Sequence, residues 1–227
     1  MTKLKLDYPT FPFFITQAWG ISNPSYLQFG FSKHNGVDFL LGTDKIAKAM
    51  CAGVVIETGF NTGAGNFVKY RTGLVEAEGT ECLVEFYYMH AEKVLVQAGQ
   101  IVSAGTPLII QDNTGFSTGP HTHISAYRLN PTDWTRLDSA LDTNRTFDWL
   151  KYTQYKFTRD MVKGENSTEV YQLQKRLGVI LTGYYGSLTQ QAVYNYQLAN
   201  VPMSWYEKYI LKGSRVGEKT RTKLNEI

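Results

Sequence analysis

Residues 82–125 read CLVEFYYMHAEKVLVQAGQIVSAGTPLIIQDNTGFSTGPHTHIS, and this stretch carries the pattern that decides the fold. Its apolar runs, CLVEFYYM, KVLVQ and PLII, are of strand length and rich in β-branched or aromatic residues. Gly99 and Gly105 separate the runs as turn residues do. The same pattern of short apolar runs separated by turn residues extends over residues 10–128, and no long helical periodicity precedes residue 165. We therefore predict an antiparallel all-β domain.

The pattern of short, strand-like runs ends after residue 151, where helical signals begin. Residues 166–169, NSTE, offer an N-cap and a following glutamate, as in a capping box, and VYQLQKRL continues at helical spacing. Two similar glycine-rich turns then lead to Thr189 and Thr220, and each threonine is predicted to be the N-cap of a further helix. We thus predict a multi-domain chain, with an all-β domain at 1–151, a linker at 152–161 and a three-helix bundle at 162–227.

Composition excludes several classes of protein. Of the 227 residues, 43% are hydrophobic and 19% are charged, which permits a packed core and excludes global disorder. The net charge of +3 is too small to indicate nucleic-acid binding, although it suits contact with an anionic polymer. Two cysteines and four histidines exclude a disulfide framework and a four-cysteine zinc finger, and we expect Cys51 and Cys82 to be buried thiols.

No targeting or membrane segment is evident from the sequence pattern. Residues 1–14, MTKLKLDYPTFPFF, lack the apolar stretch and the cleavage site of a secretory signal. No segment approaches the roughly 18 uninterrupted apolar residues of a membrane span. We expect a monomer without an export signal and without a nucleic-acid or membrane partner.

The four histidines fall in three short motifs, HNGVD at 34–38, His90, and HTH at 121–123. His121 and His123 lie two apart in a strand-like run, so their side chains point to one face with Cα atoms ~6.6 Å apart. Either HxH or HxxxD alone is a weak signal, because a lone histidine in a strand is usually structural. Together, with no histidine left over, the motifs favour a metal site.

His34 and Asp38 can share a metal only if the chain bends between them. On an extended strand their Cα atoms would be ~13 Å apart, too far for two ligands of one zinc ion. Asn35-Gly36 allows a bend because glycine tolerates unusual φ. Two histidines and one carboxylate form a catalytic zinc set with an open fourth position, and the two other histidines would act as general base or transition-state stabiliser.

At these residues the chain resembles the lysostaphin-type zinc endopeptidases of bacterial cell walls. HNGVDF matches their HxxxD element, and residues 88–125 match their run of YxH, GxxVxxG and TGxSTGPHxH. The likeness spans residues 12–150 and implies a metallopeptidase domain with a groove for a glycine-rich or D-amino-acid-containing peptide of peptidoglycan. It also implies one Zn²⁺ per chain and two site groups: the zinc ligands His34, Asp38 and His123, and the unligated catalytic pair His90 and His121.

Two departures from the family pattern concern the substrate. HTHIS replaces the usual HLHFE, so the acidic residue after the second histidine is absent, and residues 71–86 form a longer segment than usual. Glycyl-glycine and D-alanyl-diaminopimelate bonds both remain candidates for cleavage. The division of roles between His90 and His121 is open as well.

The C-terminal module resembles the three-helix peptidoglycan-binding domain of wall hydrolases. VYQLQ at 170–174, GYYG at 183–186 and AVYNYQ at 192–197 carry the likeness, which implies a tether to the wall. An aromatic residue near a turn is less needed for packing than one inside a helix. The residues predicted to contact the wall are therefore Tyr184, Tyr185 and Trp205.

The sequence thus predicts a zinc metalloendopeptidase that hydrolyses peptide cross-links of bacterial peptidoglycan. One alternative is a catalytically inactive homologue that binds the wall or activates a partner, but such proteins typically lose zinc ligands. A second alternative is a virion-associated protein that penetrates the wall. Without an export signal, we expect a phage endolysin, made in the host cytoplasm and released at lysis; a signal upstream in the gene would instead indicate a secreted enzyme.

Overall fold

The computed structural model describes residues 2–10, 13–138, 146–153 and 157–226. The chain divides into two compact units, Met1–Gln154 and Tyr155–Ile227. Among the residues described, no helix combines the length and hydropathy needed to cross a membrane.

The first unit is built on one ten-stranded sheet, in which every strand pair is antiparallel. The antiparallel all-β prediction is therefore confirmed for this unit. Its strands are β1 Phe13–Gln17, β2 Val37–Leu41, β3 Ile46–Lys48, β4 Gly53–Asn61, β5 Gly65–Arg71, β6 Val75–Ala77, β7 Thr80–Val94, β8 Ile101–Val102, β9 Pro107–Gln111 and β10 Thr122–Leu129. Within the described ranges, two short 3-10 helices accompany them, Pro24–Phe29 and Trp149–Tyr152.

The strand order places β2, β10 and β7 side by side, in the path β1-β2-β10-β7-β5-β4-β8. Successive side chains along β10 and β7 point to opposite faces of this sheet. Ile124, Phe86 and Tyr88 point into the core and have no exposed surface. Trp149 closes that core, since its indole N–H donates to the Ile124 carbonyl at 3.0 Å. The opposite face, which carries His123, is left to form the floor of a groove.

The two cysteines are unpaired thiols, as expected, but the expectation that both are buried holds only for Cys82. Cys82 lies on β7 and is buried, whereas Cys51 lies in the bend between β3 and β4 and is only partly buried. Burial raises the pKa of the Cys51 thiol to about 11, so this thiol is protonated at neutral pH.

The second unit contains three α-helices and a two-stranded antiparallel ribbon around a separate core. Its elements are β11 Met161–Val162, α1 Thr168–Leu177, α2 Ser187–Asn200, a π-helical turn Glu207–Leu211, β12 Arg215–Val216 and α3 Glu218–Leu224. Two residues of the predicted linker belong to this core, because Phe157 and Met161 are 3% and 0% exposed. Residues 154–156 of that linker lie outside the described ranges.

Helix α1 begins within the predicted NSTE signal, but its N-cap is Ser167, one residue after the position that a capping box with Glu169 requires. The Ser167 hydroxyl accepts from the Val170 N–H, and Gly178 ends the helix in the left-handed region at φ 67°. The caps of the other two helices differ from the prediction. α2 and α3 begin after Gly186 and Gly217, two residues before the threonines that were predicted to cap them.

Thr189 and Thr220 have a packing role instead of a capping role. Each is buried, and each hydroxyl accepts a hydrogen bond from a glutamine amide of the preceding helix. Gln174 donates to Thr189 at 2.8 Å, and Gln197 donates to Thr220 at 3.0 Å. The glycine-rich repeat in the sequence therefore corresponds to two helix-to-helix connections, each with the same glutamine-to-threonine hydrogen bond.

Candidate metal centre

Two of the predicted ligands face each other across neighbouring strands. His123 on β10 is the register partner of Asp38 on β2. Cross-strand partners lie about 4.5–5.5 Å apart, which is close enough for their side chains to meet. His123 Nδ1 lies 2.8 Å from Asp38 Oδ1.

His34 reaches the same point from the segment before β2. Its Nε2 lies 3.2 Å from Asp38 Oδ1 and 3.1 Å from His123 Nδ1. The ring is held from behind, because Nδ1 lies 2.9 Å from the Ala18 carbonyl oxygen. Its backbone N–H donates to the Ile21 carbonyl at 2.9 Å. The three ligand atoms of this His34–Asp38–His123 set all lie within 4.8 Å of one another.

The predicted bend between His34 and Asp38 is present at Gly36, but the reason for glycine differs from the one expected. Gly36 does not have a positive φ. Its lack of a side chain matters instead, because a Cβ there would lie 2.4 Å from His123 Nε2 and 2.7 Å from the Ile124 carbonyl oxygen. Glycine therefore allows the two chain segments to approach closely.

We expect Gly36→Ala to displace the His123 ring. A methyl group forced into this packed site should lower the free energy of unfolding by about 1–3 kcal/mol, and it should weaken metal binding as well. Urea unfolding with and without zinc would measure both effects. Gly73→Ala is the matched control, since a Cβ at Gly73 meets nothing within 4 Å. Equal zinc affinity of the Gly36 variant and the parent protein would contradict this account.

The donor set fits one zinc ion. Zinc binds histidine nitrogen and carboxylate oxygen at about 2.0–2.2 Å, so tetrahedral ligand atoms lie about 3.3 Å apart. The observed separations of 2.8–3.2 Å need to open by only a few tenths of an ångström. Outer hydrogen bonds that hold ligand rings are typical of zinc sites, and the Ala18 carbonyl supplies one to His34.

Electrostatics at the site favour an anionic Asp38 beside a neutral His123 ring. Burial alone would raise the pKa of Asp38, but hydrogen bonds with His123 and His34 outweigh it and hold this pKa well below its ordinary value. Burial lowers the pKa of His123, despite its hydrogen bond to Asp38. Ionised carboxylate and neutral imidazole are the forms that bind metal.

His90 is aimed into the groove by a bulge in β7. Val68 pairs with Tyr88 and Asn66 pairs with Ala91, so two β7 residues oppose one residue of β5. Simple alternation would turn His90 toward the core with Tyr88, but the bulge re-aims it. His90 adopts φ 65°, an uncommon conformation for a residue other than glycine. Burial lowers its pKa to about 4, so the ring is neutral at physiological pH.

A crossing of two loops fixes the back of the His90 ring. His90 Nδ1 lies 2.9 Å from the Thr114 carbonyl oxygen. This part of the 112–121 loop passes so close to the β4–β5 turn that a Cβ on Gly65 would lie 2.4 Å from that oxygen. A Cβ on Gly115 would lie 2.1 Å from the Gly65 nitrogen. The turn between β4 and β5 thus supports the site.

His121 completes the cluster at the start of β10. Its Nδ1 lies 2.8 Å from the Gly119 carbonyl oxygen, and its Nε2 lies 3.7 Å from Asp38 Oδ1. The rings of His121 and His90 are 4.7 Å apart between centroids. All five site residues predicted from the sequence are therefore brought together.

These residues open onto a groove of about 380 Å³. Several residues of its wall were not identified from the sequence. Tyr26 stacks on the His34 ring at 5.5 Å between centroids, and Asn61 donates to the Tyr87 hydroxyl at 3.1 Å. Tyr87 could have been found from strand alternation, whereas Tyr26 lies in a 3-10 helix that gave no periodic signal. Other lining residues are Gln17, Phe31, Met89, Phe116 and Tyr127.

The aromatic residues predicted to contact the wall divide into two groups. Tyr184 and Trp205 are 50% and 69% exposed. The prediction for Tyr185 is wrong, because this side chain is fully buried in the core of the second unit. Its hydroxyl donates to the Gly213 carbonyl at 2.5 Å, so packing rather than surface contact accounts for it.

Comparison with known families gives one match in the first unit. Residues 32–134 match the sequence profile of Peptidase family M23. This range contains every histidine and the Asp38 carboxylate described above.

Individual relatives match about two fifths of the chain. The glycyl-glycine endopeptidase ALE-1 of Staphylococcus capitis is 37% identical over 92 residues, which is 40% of this chain and 24% of that protein. The peptidoglycan DD-endopeptidase ShyA of Vibrio cholerae is 37% identical over 90 residues, 40% of this chain and 19% of that protein. The chain therefore spans about a quarter or less of the length of these curated relatives.

Among solved structures, the catalytic domain of lysostaphin from Staphylococcus simulans is 24% identical with a TM-score of 0.45. That likeness covers 62% of this chain and 91% of the lysostaphin domain.

Proposed function

We propose that this chain, whose residues 32–134 match peptidase family M23, is a zinc-dependent endopeptidase that hydrolyses peptide cross-links of bacterial peptidoglycan. One observation carries the proposal. A ligand set of two histidines and one carboxylate lies beside two further histidines in one groove. Metal-dependent peptide hydrolysis requires a metal ion, proton-transfer groups and a binding surface for an extended peptide.

His34, Asp38 and His123 are the proposed metal ligands. Zinc held there would polarise the scissile carbonyl and activate water near neutral pH. The protein's own part is to orient these ligands, and the carbonyl oxygen of Ala18 does so for the His34 ring.

His90 and His121 are the proposed catalytic pair. Each Nδ1 is hydrogen-bonded to a backbone carbonyl and therefore carries the proton. Each Nε2 is left with a lone pair available to the groove. One ring can take a proton from the attacking water and pass it to the leaving amine. The other can stabilise the charge that develops on the carbonyl oxygen when its Nε2 is protonated as well, because only an N–H can donate to that oxygen.

The proposed substrate class is the peptide portion of peptidoglycan. The groove has a sheet floor and aromatic walls, a shape suited to an extended peptide rather than to a compact ligand. Glycyl-glycine and D-alanyl-diaminopimelate bonds are both retained as candidates, in line with the names of the two relatives.

Digestion of purified walls of known cross-bridge chemistry would test this function. We expect new peptide amino termini, identified by mass spectrometry, to appear with the untreated protein. EDTA should stop their release and added zinc should restore it, because the ligand set loses its ion to a chelator. Lysis that persists in EDTA would reject the metal mechanism, and digestion without new amino termini would reject peptide hydrolysis.

The second unit is proposed to be a three-helix peptidoglycan-binding domain that holds the enzyme on the wall. Exposed Tyr184 and Trp205 support this, since aromatic rings supply contact area at little entropic cost. Attachment would raise the local concentration of substrate. Co-sedimentation with insoluble walls in EDTA, when cleavage is stopped, measures attachment directly.

We also propose that the setting is lysis at the end of phage infection, with the enzyme acting as a monomer. A wall-cleaving unit joined to a wall-attaching unit suits a lytic enzyme. Bacteria that express the protein internally should then lyse when their membrane is permeabilised and stay intact before that.

A further inference from the structure

Ser125 contacts the metal centre from behind and has no role in the chemistry described above. It lies two residues after His123 on β10, so both side chains point to the groove face. Ser125 is nevertheless fully buried beneath that face. Its Oγ lies 2.9 Å from His123 Nε2, the ring nitrogen on the far side from Asp38.

The direction of this hydrogen bond follows from the ligand geometry. His123 presents Nδ1 to Asp38 and His34, so Nδ1 must carry the lone pair when a metal binds. The proton of the neutral ring then sits on Nε2 and is donated to the Ser125 oxygen. Ser125 keeps its own proton for another acceptor.

Tyr127 is the candidate for that acceptor. It follows Ser125 by two residues on the same face of β10 and is 5% exposed, and an interaction with the Ser125 side chain is among the smaller influences on the pKa of Tyr127, which burial raises. The Tyr127 ring is covered in turn by the Arg136 guanidinium, 3.7 Å from the ring centroid. Arg136 is itself fixed by a β-bridge to Leu129 at the end of β10.

We infer that Ser125 is a positioning residue that fixes the tautomer and the ring orientation of His123 for zinc binding, and that Tyr127 holds Ser125 in place. This inference rests on the proposed function, because it assumes the metal. Outer partners of metal-binding histidines typically contribute about 10–100-fold to metal affinity. A single neutral hydroxyl should fall within that range.

Thr122 provides a matched control on the same strand. It is also fully buried, but it points to the opposite face, and its hydroxyl has no hydrogen-bond partner within the described part of the chain. Thr122→Val therefore removes a buried hydroxyl without removing a hydrogen bond. Ser125→Ala removes one hydroxyl of similar size together with its bond to His123.

Zinc affinity, measured on the full chain by competition with a chromophoric chelator, tests the inference without relying on turnover. We expect Ser125→Ala to weaken zinc binding by about 10–100-fold, Tyr127→Phe to weaken it less, and Thr122→Val to leave it within about twofold of the parent. The visible spectrum of the cobalt-substituted protein should change for Ser125→Ala and not for Thr122→Val.

The outcomes separate this inference from the proposed function. If the parent protein binds zinc and cleaves walls while Ser125→Ala matches it in zinc affinity and cobalt spectrum, the positioning role is wrong and the function stands. A Ser125 variant that unfolds more easily but binds zinc normally would likewise overturn the positioning role alone. A parent protein that binds no zinc overturns both.

Discussion

Replacing His121 by alanine is expected to leave zinc bound and to remove most of the peptidase activity. His121 is not within the ligand set, and its Nε2 lies 3.7 Å from Asp38 Oδ1, on the groove side of the metal site. Loss of a positioned proton-transfer group typically costs about 10²–10⁴-fold in rate. We expect a reduction of that size in the release of new amino termini from purified walls.

Two measurements distinguish this effect from loss of the site. Zinc content should remain one equivalent per chain, and binding to insoluble walls should equal that of the parent protein. Gly73→Ala, a substitution with open space around it, serves as the activity control. Normal cleavage by His121→Ala would show that His121 is not part of the catalytic pair.

Asp38→Asn is expected to abolish zinc binding with almost no change in shape. The amide is the same size as the carboxylate, but it lacks the charge that faces three histidines, with Oδ1 at 2.8 Å from His123, 3.2 Å from His34 and 3.7 Å from His121. Removing a direct anionic ligand should cost more than the about 10–100-fold that outer partners contribute. Activity should disappear with the metal.

Thermal unfolding provides the readout for Asp38→Asn. A ligand at 100 times its dissociation constant stabilises the native state by about 2.7 kcal/mol, so zinc should raise the unfolding temperature of the parent protein. The same addition should leave that of Asp38→Asn unchanged. Glu57→Gln, at a half-exposed carboxylate paired with Lys69, should behave like the parent. A zinc-dependent shift in Asp38→Asn would refute the ligand assignment.

Strand alternation and motif spacing were sufficient to predict much of the first unit. Antiparallel strands, the pairing of His121 with His123 on one face, and the bend before Asp38 follow from periodicity and from distances that zinc allows. The same alternation extended by two steps would also have reached Ser125 and Tyr127, whose residue types do not by themselves suggest metal chemistry.

Features that depend on tertiary contact could not be read from the sequence. The bulge at His90 breaks the two-residue period, and its left-handed conformation has no local marker, because nothing in YYMHAE requires it. The sequence suggests conformational freedom as the reason for Gly36, yet the role of this glycine is to allow the close approach of His123, a residue 87 positions away in the sequence.

The second unit shows the same limit. The glycine-rich repeat indicated two helix starts within two residues, but it could not show that Thr189 and Thr220 face inward to meet glutamines. Tyr184 and Tyr185 are adjacent in an aromatic turn, and only packing decides that one is exposed and the other buried.

The register of β10 against β2 has a practical consequence for anyone who prepares this protein. His123 meets Asp38 only when the two strands pair without slippage, and a shift of one residue would turn His123 toward the core. A molecule with that error could still be compact and soluble. Bound zinc per chain would therefore report the fraction of a refolded batch that has reached the correct strand alignment, a quality that size-exclusion chromatography does not detect.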